Sequence, residues 1–156
     1  MTGSNRSGEL SDTLRAVTLS VLMVLSVLSV GALPAAAQAS EADPSISVTN
    51  QPSGNVSAEG SFDITYEIAN NGNASSSFTV EVPSTPSGIS VDSFSGDIQG
   101  PNPDGSPPST STTAVSAGSA ATVTVTYNVS SSASGSGNIG VDATAPLSGN
   151  SDSQTT

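Results

Sequence analysis

Four segments of this chain alternate apolar and polar side chains with period two, and that pattern dictates sheet. Phe62, Ile64, Tyr66 and Ile68 alternate with Asp63, Thr65 and Glu67. Phe78, Val80 and Val82 alternate with Thr79 and Glu81. Val123, Val125, Tyr127 and Val129 alternate with Thr124, Thr126 and Asn128. Ile139, Val141 and Ala143 alternate with Gly140, Asp142 and Thr144. Ile46 with Val48, and Ile89 with Val91, are shorter candidates. Successive side chains of a strand point to opposite faces, so each segment carries one apolar and one polar face. The large apolar residues beyond position 40 are nearly all β-branched or aromatic, with Leu147 the one leucine. Such side chains suit a pleated surface.

Turn residues separate the segments: Pro52-Ser-Gly54, Asn70-Asn-Gly72, Pro86-Ser-Gly88, Ser116-Ala-Gly118 and Gly135-Ser-Gly137. About seven short antiparallel strands imply an all-β, two-sheet sandwich of the immunoglobulin-like kind, because one sheet alone leaves its apolar face wet. The domain is expected over residues 40–147. Its least structured part is expected at 95–116, a loop rich in Pro, Ser and Thr. A short strand around 97–99 or a displayed loop are the two readings there. The polar tail 148–156 is expected to fray. Composition opposes this reading, since an acidic chain poor in Leu, Ile, Val and Phe resembles a disordered one. The four alternating segments outweigh it and leave a small core.

Ahead of the domain lies a three-part pattern. Residues 1–15 are polar and hold Arg6 and Arg15. An apolar run follows from Ala16 to Leu33, ended by Pro34 and the small residues Ala35-Ala-Ala-Gln-Ala39. This is the pattern of a secretory signal peptide over residues 1–39, cleaved after Ala39 or, alternatively, after Ala37. The chain then touches a membrane only transiently. An uncleaved anchor is the rival reading, the run being about long enough for a marginal span. A prepilin segment, processed between Arg15 and Ala16, is another.

No Lys, Arg or His follows Arg15, and the chain has no Cys. Thirteen carboxylates give a net charge of -11, and only Glu9 and Asp12 precede Arg15. The exported part therefore forms no side-chain salt bridge. It has no histidine or lysine base and no cysteine nucleophile or ligand. Nucleic acid is excluded as a partner, because its binding rests on Lys and Arg at phosphates. Acidity without lysine also fits molar salt, where the Debye length shrinks to about 3 Å and self-repulsion is screened. A high-salt habitat is therefore expected.

Chemistry has few candidates. Paired carboxylates on outward strand positions lack the deep cleft that glycosidase chemistry needs, so an enzyme is not expected and no cofactor is implied. Asp97, Asn102 and Asp104 are weak calcium candidates, being oxygen ligands close in sequence. The EF-hand pattern fails, with Gly100 and Ser111 at its first and last ligand places. Three sequons follow residue 40: Asn55-Val-Ser57, Asn73-Ala-Ser75 and Asn128-Val-Ser130. On an exported chain each is a candidate N-glycan acceptor, and Asn73, just after a turn, is the favoured one.

Three stretches carry a family resemblance. They are Gly60-Ser-Phe-Asp-Ile-Thr-Tyr-Glu-Ile-Ala-Asn-Asn-Gly72, Val82-Pro-Ser-Thr-Pro-Ser-Gly88 and Ala117-Gly-Ser-Ala-Ala-Thr-Val-Thr-Val-Thr-Tyr127. The chain resembles the CARDB-type and related repeated immunoglobulin-like domains of prokaryotic surface proteins, especially those of halophilic archaea. The resemblance implies a secreted or cell-surface module that takes part in cell adhesion or envelope architecture, with a protein or glycan of the envelope as partner. The alternative is a carbohydrate-binding accessory module of an exported enzyme. It lacks tryptophan, and Tyr66 and Tyr127 fall on inward positions.

Overall fold

The computed structural model describes residues 40–156, which form one compact unit. The cleavage positions Ala37 and Ala39 and the whole apolar run lie outside the described residues. Nine strands follow one another: β1 Pro44–Asn50, β2 Ser61–Asn70, β3 Thr79–Ser84, β4 Ile89–Gly96, β5 Ile98–Asn102, β6 Ser109–Thr112, β7 Ala120–Val129, β8 Gly140–Thr144 and β9 Ser151–Thr155. No helix occurs among the described residues.

The strands form two antiparallel sheets, one ordered β1-β2-β7-β4 and the other β5-β6-β3-β8-β9. The expected all-β, two-sheet sandwich is what the chain forms, with nine strands where about seven were expected. Register follows the alternation: Ile64 stands opposite Val125, Tyr66 opposite Val123 and Ile68 opposite Ala121. Val80 stands opposite Ala143 in the other sheet. These inward residues of both sheets share one buried cluster with Ile46, Phe78, Val82, Phe94 and Ile139. Burying one such side chain contributes about 1.5–3 kcal/mol, so a core built from valines and isoleucines is enough to join two sheets.

Two expectations need correction. The segment 95–116 is not a displayed loop: the short strand read near 97–99 is present as β5, and the segment also holds the end of β4 and the pairing strand β6. β6 reads Ser-Thr-Ser-Thr, which lacks an apolar face, yet Thr110 and Thr112 point inward and are buried. Their hydroxyls have partners. Phe78 N–H donates to Thr112 Oγ1 at 2.9 Å, and Thr110 Oγ1 donates to the Gln99 carbonyl at 3.3 Å. A satisfied β-branched hydroxyl can sit where an apolar residue is expected. The tail 148–156 does not fray either. Its residues 151–155 pair with β8 as β9, and backbone bonds join Thr156 to Ile139 in both directions.

Both long sides of the sandwich are closed. On one, Ile46 N–H of edge strand β1 donates to Asp152 Oδ2 of edge strand β9 at 2.8 Å. On the other, the chain passes directly from β4 to β5. Gly96 there has φ 104°, and a side chain on it would meet the Thr122 carbonyl. Only glycine adopts that turn without strain.

Candidate functional site

Every strand is antiparallel to its sheet neighbours, so odd-numbered strands run one way and even-numbered strands the other. The loops are sorted accordingly. The β1–β2, β3–β4, β5–β6 and β7–β8 connections gather at one pole. The entry of the unit at Ser40 and the other four connections lie at the opposite pole, where Glu41 bonds to Asn73.

At the first pole two open grooves flank Ile89. One, of about 620 Å³, lies between the β3–β4 corner and the β5–β6 tip, lined by Val82, Thr85, Val91, Pro103, Asp104 and Pro108 among others. Prolines fix φ and remove donors, so the tip 103–108 is stiff. It is held by Gly105 N–H on the Asn102 carbonyl at 3.2 Å and by Val82 N–H on the Pro108 carbonyl at 2.9 Å. Thr85 Oγ1 donates to the Ile89 carbonyl at 2.8 Å and fixes the facing corner. The second groove, of about 460 Å³, is lined by the β1–β2 and β7–β8 loops with Phe62, Ile89, Val129 and Ile139. The alternation placed Ile89 and Val91 in a strand, but nothing in it marked them as groove walls.

The opposite pole is organised by Asn70, a fully buried side chain. Its Oδ1 accepts from Asp43 N–H at 3.2 Å and Gly72 N–H at 3.1 Å. Its Nδ2 donates to the carbonyls of Ala74 at 2.8 Å and Val115 at 3.0 Å. One amide thus joins the entry segment to the β2–β3 and β6–β7 connections. The Asn-Asn-Gly string reads as a turn, and nothing local signals the distant partners. Gly72 is needed because any Cβ there would strike the backbone of Glu41 to Asp43.

The calcium candidates are not brought together. Asp97 and Asn102 sit at opposite ends of β5, separated by roughly the strand's length of 15 Å. Asp97 instead latches the β4–β5 passage. Its Oδ2 accepts from Thr122 N–H at 2.9 Å, its N–H donates to the Thr122 carbonyl at 2.8 Å, and its carbonyl accepts from Thr113 N–H at 2.9 Å. Asn102 and Asp104 belong to the tip turn. No group of three or more Asp, Glu, His or Cys converges among the described residues.

The three sequons occupy different settings. Asn55 is exposed in the β1–β2 loop, on the rim of the second groove. Asn73 is exposed but engaged: its Oδ1 accepts from Glu41 N–H, and its own N–H donates to the Glu41 carbonyl, both at 2.8 Å. Asn128 lies on central strand β7 opposite Ser61 and Ser90. As expected it faces outward, and its Nδ2 donates to Asp92 Oδ1 at 2.7 Å.

Tyr66 and Tyr127 are fully buried, their hydroxyls 3.5 Å apart. Burial pushes both phenols above their ordinary range near 10. Phe62, half-buried, stacks on Tyr127 with centroids 5.2 Å apart. No aromatic ring stands exposed among the described residues.

No family model matches this chain, and no curated protein does. Among solved structures, the crystal structure of a FixG-related protein from Vibrio parahaemolyticus aligns with 72% of this chain and 92% of its own. It does so at a TM-score of 0.42 and 8% identity.

Proposed function

We propose that this chain is an exported, non-enzymatic, immunoglobulin-like β-sandwich module. It acts in adhesion, binding or architecture at the cell surface, in a high-salt medium. Residues 1–39 direct export and are removed, and a protein or glycan of the envelope is the partner. The observation that carries this reading is the stiff tip 103–108 standing over a groove at the pole away from Ser40. The composition supports the same reading, since a chain with no cation, histidine or cysteine after Arg15 is equipped to recognise rather than to transform. The carbohydrate-binding alternative is the weaker one, because stacking on sugars needs exposed rings and both tyrosines are buried.

Fractionation of the native host tests export directly. The protein is expected outside the cytoplasm with Ser40 at its amino terminus, or Gln38 if cleavage follows Ala37. A cytoplasmic chain that retains residues 1–39 contradicts the reading.

A further inference from the structure

We infer that Asn55 is the one N-glycan acceptor of this domain. The inference rests on the export reading, since the transfer takes place outside the cytoplasm. In that transfer Asn55 Nδ2 bonds to C1 of the first sugar. The C1–oxygen bond to a polyisoprenoid phosphate donor breaks, the phosphate leaves with the bonding electrons, and the amide gives up one proton. The transferase must seat the acceptor in an extended conformation, so the sequon has to leave the body of the domain.

Only one sequon can do that without breaking the fold. Among the described residues, the β1–β2 loop from 51 to 58 makes a single backbone bond, from Gly60 N–H to the Ser57 carbonyl at 3.2 Å. Asn55, Val56 and Ser57 are all exposed. Asn128 is paired on both sides within β7, and its Nδ2 is already donated to Asp92. Extracting it tears the central strand from both neighbours. Asn73 is tied to Glu41 through side chain and backbone, in the network that Asn70 organises. The first sugars on Asn55 then lie along the groove walled by Ile89, Val129 and Ile139 and cover Val56, which is 36% exposed.

The spacing of the carboxylates makes the test clean. A protease cutting after Asp and Glu puts each sequon on its own peptide: 44–59, 68–81 and 105–142. The full chain, produced in a host that exports and N-glycosylates, is digested and read by mass spectrometry with fragmentation at each asparagine. Sugar is expected at Asn55 only, lost in both Asn55→Gln and Ser57→Ala. Sugar at Asn73 or Asn128 overturns the assignment, whether or not Asn55 carries any. A chain beginning at Ser40 with Asn55 unmodified overturns it too, and leaves export standing. A chain that keeps residues 1–39 and bears no sugar overturns both.

Discussion

Glu81 of β3 and Asp142 of β8 stand directly opposite each other on the outer face of their sheet. Their other neighbours across the strands are Ser109 and Ser153, which bring only hydroxyls. Like charges in register destabilise a strand pair by a few tenths to about 1 kcal/mol, and no cation after Arg15 offsets this one. Glu81→Lys is therefore expected to raise unfolding stability by about 1 kcal/mol in low salt. The gain should shrink in about 2 M NaCl, where the Debye length is shorter than the pair distance. Urea unfolding at both salts checks this, and an equal effect at the two contradicts it.

Alkaline stability is set by Tyr66 and Tyr127. The unfolded chain releases its phenolic protons near pH 10, while the folded chain holds them because burial raises both. The folded state then binds more protons, so stability is full below pH 10 and falls as pH rises above it. Each tyrosine contributes a slope of about 1.4 kcal/mol per pH unit. Tyr66→Phe should remove one of these two contributions and so about halve the combined slope. Tyrosinate absorbance should appear together with unfolding and not before it.

Asn70→Ala leaves two N–H groups and two carbonyls of the entry pole without their partner. Each buried unsatisfied group costs about 1–3 kcal/mol, so a loss of about 3 kcal/mol or more is expected. Asn71→Ala, one residue along on an exposed side chain, should change stability by less than about 0.5 kcal/mol. Chemical denaturation of the two variants separates a structural hub from an ordinary turn.

The tail is part of the fold, and its removal measures how much. Asp152→Ala should cost about 1–2 kcal/mol through the lost bond to Ile46 N–H. Deleting residues 149–156 should cost more, because β8 loses its partner along five residue pairs. Hydrogen exchange should show protection at Ile46 that disappears in Asp152→Ala.

The alternation made most of the sandwich legible, since burying the apolar side of Phe62–Ile68 or Val123–Val129 leaves no other solution. It was blind where a strand has no apolar side. β6 turns Thr110 and Thr112 inward on hydrogen-bonded hydroxyls, and β9 is polar throughout. Asn70, Asp97 and Asp152 each bond to partners 25 to 106 residues away. No local pattern encodes such partners. Of the calcium candidates, neighbours in sequence, β5 holds Asp97 apart from Asn102 and Asp104. Exposure of Asn128 followed from the alternation, whereas the freedom of Asn55 depended on how few backbone bonds its loop makes.

Recognition of the cell envelope through the tip pole is the role proposed for this domain. Co-sedimentation of the exported chain with isolated envelopes in molar salt tests it most directly. The wild-type chain is expected to pellet with envelopes. Retention should fall at least about fivefold, or about 1 kcal/mol, in two variants with an unchanged unfolding midpoint. One replaces residues 103–107 by an Asn-Gly turn, and the other is Pro103→Ser. A wild-type chain that stays in the supernatant, or variants that sediment as it does, would contradict the claim.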